Sequence, residues 1–204
     1  MTSKLHALCG AALLALAPLA HAELVSWSFQ GQLTGVGSTT SHQLGEGFQA
    51  VVNFDTAAKE LTPINPNRHS LDISALTIRY QIGADSWRQL DASAGGLIYV
   101  RDNQINPQEP TGPLVDGLTF QLGAVSLILR WSDLGAIDYS QGLLPSTPPA
   151  MTQLVAQQFQ DNGQGLIGQI DTVSAVPEPE SYLMLLAGLG LIGALTKRRA
   201  QKPG

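Results

Sequence analysis

Apolar side chains recur at every second residue through most of this chain, the period of a β-strand and not of a helix. Between Glu23 and Leu33, Val25, Trp27, Phe29, Gly31 and Leu33 share one side, while Leu24, Ser26, Ser28, Gln30 and Gln32 take the other, so the first set is the buried one. Phe48, Ala50, Val52 and Phe54 repeat the pattern. Residues 71–82 offer Leu71, Ile73 and Ala75, then Leu76, Ile78, Tyr80 and Ile82, and the change of phase at Ala75-Leu76 reads as a β-bulge within one strand. Strands are also expected at 97–100, 118–122 and 125–131, the last with Val125, Leu127, Leu129 and Trp131 facing one way. Two more, at 153–159 and 166–173, are joined by Asp161-Asn162-Gly163, a turn in which Asn-Gly accepts positive φ. A helix over 151–160 would also fit Met151, Leu154, Val155 and Gln158, but the tight turn and apolar strand that follow favour the hairpin. About eight short strands in a body of this size predict an all-β fold, an antiparallel β-sandwich of jelly-roll type.

Between these strands, residues 35–47, 56–70, 102–117 and 142–150 are rich in Gly, Ser, Thr or Pro and are expected as long surface loops, where binding concentrates. No internal repeat interrupts the series.

Both ends of the chain break the two-residue pattern. Lys4 and His6 precede an apolar run from Leu8 to Leu19, and Ala20 and Ala22 provide the small residues of a signal-peptidase site, so residues 1–22 read as a signal peptide cut before Glu23. Cys9 stands before the apolar run and lacks the preceding small residue of a lipoprotein signal; as the sole cysteine, it leaves the body without disulfides or thiolate metal ligands. At the other end, Pro177-Glu178-Pro179 is a rigid break that no helix continues. An apolar segment over 182–196 follows, and Lys197, Arg198 and Arg199 then form a basic stop-transfer cluster. At about 1.5 Å per residue this transmembrane helix spans roughly 22 Å, short of the roughly 30 Å hydrocarbon core.

The order of Pro-Glu-Pro, apolar segment and basic cluster resembles the PEP-CTERM sorting signal of Gram-negative bacteria. The resemblance implies recognition and cutting near Pro177-Glu178-Pro179 by an exosortase. It divides the chain into a signal peptide (1–22), a β-sandwich body (23–175) and a sorting segment (176–204) with its membrane helix at 182–196 and basic tail at 197–202. Lys197 at the head of the basic cluster and Pro203-Gly204 at the end depart from the commonest form. The body is similar to other PEP-CTERM proteins in Trp27-Ser28-Phe29-Gln30-Gly31, Gly45-Glu46-Gly47-Phe48 and Val52-Asn53-Phe54-Asp55-Thr56, although strand-to-turn chemistry alone accounts for Asp55-Thr56.

Without its two targeting segments the body has six basic against fourteen acidic residues, a net charge of −8. An acidic surface excludes nucleic acid as a partner and simple adhesion to anionic lipid, and leaves neutral glycans, cations and basic partners. Catalytic patterns are absent: no HExxH, Gly-x-Ser-x-Gly, Walker or dinucleotide motif occurs. The body's two histidines, His42 and His69, are expected in solvated loops, and the neighbouring Ser41 and Ser70 are too close in sequence for triad geometry. Asp102, Asn103, Asn106 and Glu109 are a candidate calcium site, with Asp161-Asn162-Gly163 a second that lacks the closing acid of an EF-hand. Trp27 and Trp131 fall on buried faces, whereas Trp87 and Arg88 lie in a turn and are the candidate ligand-binding pair.

The expected function is that of an exported, non-catalytic cell-surface or matrix protein, passing through the inner membrane and periplasm, sorted by exosortase and associated with exopolysaccharide or biofilm. Alternatives are a polysaccharide hydrolase or lyase using an acid pair that sequence does not single out, and an uncleaved tail-anchored periplasmic protein.

Overall fold

The computed structural model describes residues 23–65, 68–105 and 113–177, without side-chain detail at 62–65 and 104–105. The expected signal peptide, Glu178 and Pro179, the apolar segment 182–196 expected as a membrane helix and the basic cluster Lys197-Arg198-Arg199 lie outside the described residues. Among those described, no helix is long and apolar enough to cross a membrane.

The described residues of the body form eleven strands: β1 (Leu24–Gly35), β2 (Gly47–Asp55), β3 (Glu60–Asn65), β4 (Arg68–Leu71), β5 (Thr77–Ile82), β6 (Arg88–Leu90), β7 (Gly96–Ile105), β8 (Leu114–Leu122), β9 (Val125–Trp131), β10 (Leu154–Asp161) and β11 (Leu166–Val176). All pairings are antiparallel, in the order β3-β4-β7-β8-β9-β10-β11-β1-β2-β5-β6. The ladder is continuous, so the two layers expected of a sandwich are halves of one curled sheet. From β7 to β11 the chain runs as an uninterrupted meander, unlike jelly-roll wiring, in which successive strands change layer.

The curl follows from which residues avoid water. Every second residue of β1 from Val25 to Leu33 is buried, as the alternation predicts. Trp27 and Phe29 of β1 meet Phe120 of β8 at ring-centroid distances of 5.9 and 6.4 Å, although three strands separate β1 from β8 in the ladder. Phe54 of β2 completes the cluster, edge-on to Trp27 at 5.2 Å. These contacts draw the two halves of the sheet over one apolar core, each aromatic ring removing a large area from water.

Three boundaries differ from expectation. Residues 71–82 are two strands, not one bulged strand: β4 pairs with β7, whereas β5 pairs with β2 on the other side of the curl. The phase change is a turn, closed by Leu76 N–H to the Ile73 carbonyl (2.8 Å) and capped where Ser74 N–H donates to Asp72 Oδ1 (2.8 Å). The expected loop 56–70 holds β3 and most of β4, and the expected loop 102–117 is partly strand, since β7 runs to Ile105 and β8 begins at Leu114. Proline punctuation hid these strands: Pro63 lies in edge strand β3, where a missing N–H is tolerated.

The β10–β11 hairpin exists, but its loop has four residues between the paired Asp161 and Leu166, and the positive φ falls on Gly165. Asp161, 3 % exposed, locks this turn by accepting from Gln164 N–H and Nε2 (3.2 and 2.8 Å) and from the Tyr80 hydroxyl (2.9 Å). Burial and the Asp161 carboxylate push the Tyr80 hydroxyl pKa above its ordinary value.

The segment 132–153 closes one mouth of the curl. It buries Ile137, Tyr139 and Leu144, and both core tryptophans tie it down: Trp27 Nε1–H donates to the Ser146 carbonyl (3.1 Å) and Trp131 Nε1–H to the Ala150 carbonyl (2.9 Å). Its prolines cannot donate to a ladder, so this stretch crosses the core edge as loop, with the indoles supplying hydrogen bonds that a strand would have supplied.

Candidate functional site

Side chains that leave the core on β11, β1, β2 and β5 are mostly amides and hydroxyls. Thr172, Gln30, Gln49 and Gln81 are successive register partners across these four strands. Together with Gln32 and Asp171 they line a surface groove of about 380 Å³. Two rows further along, beyond Ser28, Val51 and Arg79, Ser26 Oγ donates to Asn53 Oδ1 (2.6 Å), whose Nδ2 donates to Thr77 Oγ1 (2.8 Å). Amides carry both donors and acceptors, which is what a surface reading the hydroxyls of a neutral sugar requires.

The groove runs to Gly83 in the β5–β6 hairpin, which carries the predicted pair Trp87 and Arg88. Trp87 is 38 % exposed, and the Arg79 guanidinium lies 4.4 Å from its ring centroid, so one face of the indole is occupied by a cation. Arg88 is drawn to Asp85 at 3.8 Å. Asp85 also faces His42 Nε2 at 3.5 Å, and His42 Nδ1 lies 3.0 Å from Glu46. The expected solvated loop therefore does not hold His42: its side chain is 6 % exposed between two carboxylates, because the loop after β1 folds back onto this hairpin. His69 is likewise removed from solvent, 2.7 Å from Glu60 and 4.6 Å from the Tyr139 ring.

Of the calcium candidates, Asn106 and Glu109 lie outside the described residues. Asp102 and Asn103 sit at an irregularity in the β7–β8 register, where Asn103 adopts φ +54°. Asp102 accepts from Asn103 Nδ2 (2.6 Å) and from Tyr139 N–H (3.4 Å). Asn103 N–H donates to the fully buried Asp116, which also accepts from Ile137 N–H, both at 2.9 Å. Burial raises the Asp116 pKa, the two backbone donors oppose that, and nearby Asp102 and Asp133 add to it. Asp116, which sequence reasoning did not single out, thus anchors the start of the closing loop to β7 and β8. No group of three or more His, Cys, Asp or Glu arranged to hold a metal ion occurs among the described residues. Asp161 of the second candidate is occupied by Tyr80 and Gln164 as described above.

Sequence reasoning also passed over Arg68, Tyr99, Arg101 and Arg130, which the register gathers on the outer face of β4, β7 and β9. The only local signal was Tyr99 and Arg101 at strand spacing on the face opposite Ile98 and Val100; bringing in Arg68 and Arg130 takes knowledge of the pairing.

The exit toward the C-terminus begins within the sheet. Ala175 and Val176 still pair with Trp27 and Ser26, and Pro177 is the next residue. A protein-family model for the PEP-CTERM protein-sorting motif matches residues 175–199. The chain therefore carries that sorting motif, which implies an exported protein processed by exosortase. No curated protein matches the chain. No solved structure matches it either.

Proposed function

We propose that the body is a non-catalytic cell-surface or matrix module, delivered by its sorting segment and associated with exopolysaccharide through its outer sheet faces. The sorting motif starting in the last two residues of β11 carries this reading, because it couples the folded sheet directly to the export signal. The amide-lined groove beside the half-exposed Trp87 supports a glycan partner, since it offers hydroxyl-reading groups next to an aromatic ring. Both ring nitrogens of His42 face carboxylates, which supports a role in fixing the hairpin over one as a free catalytic base.

The full chain, tagged within the 132–153 loop and expressed in an exosortase-bearing cell, tests the reading. Body peptides in the outer-surface or matrix fraction, without any peptide containing Lys197, are the expected result. Recovery of a Lys197 peptide with the body in the inner membrane would establish the tail-anchored alternative. Retention on the cell's own exopolysaccharide, with calcium and with chelator, is assayed alongside release of reducing ends; new ends would make the protein a hydrolase or lyase.

A further inference from the structure

In a body with a net charge of −8, three of the six basic residues stand in one row. Arg68 of β4 pairs with Arg101 of β7, Arg101 with Gly117 of β8, and Gly117 with Arg130 of β9. Alternation puts these positions on the side of the sheet away from Ile98, Val100 and Leu118. Gly117 makes the row possible. A Cβ there would fall 3.3 Å from Arg101 Cδ and 3.4 Å from Arg130 Cγ, so the missing side chain is the space across which the two arginine stems approach.

Tyr99 binds the group together. Its ring centroid is 4.7 Å from the Arg68 guanidinium carbon and 5.1 Å from that of Arg101. The residue is 7 % exposed, yet among the described residues its hydroxyl has no hydrogen-bond partner, and neither does the buried Nε–H of Arg68 or of Arg101. No carboxylate among the described residues lies within ion-pair distance of Arg68 or Arg101. Burial, and then the neighbouring Arg68, push the Arg101 pKa below its ordinary value. Buried donors without acceptors are rare, and two like charges placed side by side as Arg68 and Arg101 are, with no described counter-ion, are costly. The missing element has one chemical character: several acceptor oxygens bearing negative charge, set in a plane that guanidinium forks can grip.

We propose that Arg68, Tyr99, Arg101 and Arg130 form an anion site for the carboxylate or sulfate-ester groups of an acidic polysaccharide. The proposal deepens the matrix-binding reading above and rests on it for the class of polymer. Arg68 and Arg101 are partly exposed, so substituents of a chain lying along the outer face of β4, β7 and β8 reach them while the polymer backbone stays in solvent.

The test uses the full chain purified in non-ionic detergent and immobilised polygalacturonate, dextran sulfate, neutral dextran and poly-L-glutamate. Wild type is expected to be retained on the two acidic glycans and not on dextran. R101Q should weaken that retention about tenfold or more, the loss expected for one charge-assisted hydrogen-bonding group. R101K should lose less than R101Q, and Y99F should lose a smaller factor while keeping the fold. The thermal midpoint of R101Q should hold or rise, since a partly buried like charge is removed; a fall in midpoint together with lost retention in R101Q, with Y99F unaffected, would mark the cluster as structural and overturn the proposal. Equal retention of wild type and R68Q/R101Q would overturn it too, as would retention on poly-L-glutamate equal to that on the glycans. The native exopolysaccharide separates the two readings. If it is held equally by wild type and R68Q/R101Q, the anion site fails and matrix binding stands; if it is not held while polygalacturonate is held through the arginines, the reverse follows.

Discussion

Phe48 packs where there is almost no room for it. Its ring stacks on Phe159 at 4.6 Å and lies against two glycines, Gly31 and Gly168, whose absent side chains form the slot. A Cβ at Gly31 would overlap both the Phe48 ring and the Gln169 carbonyl oxygen. Gly31→Ala should therefore lower stability by about 3 kcal/mol or more through overpacking and a displaced ladder, read by urea denaturation. Asp116 is a second residue whose environment sets its behaviour. Its raised pKa means that the folded state keeps a proton which the unfolded chain releases. The stabilising contribution of this carboxyl is thus fully present below the unfolded pKa and is lost as pH rises through the folded one. Asp116→Asn leaves one of two backbone donors without its acceptor and should cost about 1–3 kcal/mol. The wild-type advantage over that variant should narrow between acidic and neutral pH, as thermal melts across the range will show.

At the scale of elements, the 132–153 loop behaves as a lid tied down by indoles. Trp27→Phe keeps an aromatic ring in the core but removes the hydrogen bond to Ser146, and about 2 kcal/mol of lost stability is expected. Limited proteolysis should cut that variant within 132–153 faster than wild type. Strands with strict alternation were legible in sequence, because β1, β2 and β5 each bury one face and the period reports it directly. β3, β4 and β6 were not: β3 contains Pro63, β4 has four residues and β6 three, so none is long enough to show a period. The candidate site divides the same way. Trp87 in its turn was readable from flanking Gly83 and Asp85, whereas the arginine row and the amide row depend on which strands become neighbours, and that is decided by the curl of the whole sheet.

One core and one unbroken ladder unite the body, and Cys9, the sole cysteine, lies outside it. The full chain in detergent should accordingly show one cooperative unfolding transition of its sheet, with a midpoint unchanged by reductant; calorimetry with and without dithiothreitol checks this. The same continuity constrains processing. Val176 is paired in the sheet opposite Ser26, so a cut on its N-terminal side would remove paired residues. Intact-mass measurement of the released protein should place the new C-terminus at Val176 or beyond.

The attachment point also decides how the molecule carries a mechanical load. A tether at Val176 pulls on β11, which is flanked by β10 and β1 and shares nine register pairs with β1. Tension along that strand loads both ladders in shear, so many hydrogen bonds must fail together, whereas a tether on the three-residue edge strand β6 would peel away one bond at a time. A polymer gripped at one face of the curl and an anchor at β11 would thus strain the sheet along its most resistant direction.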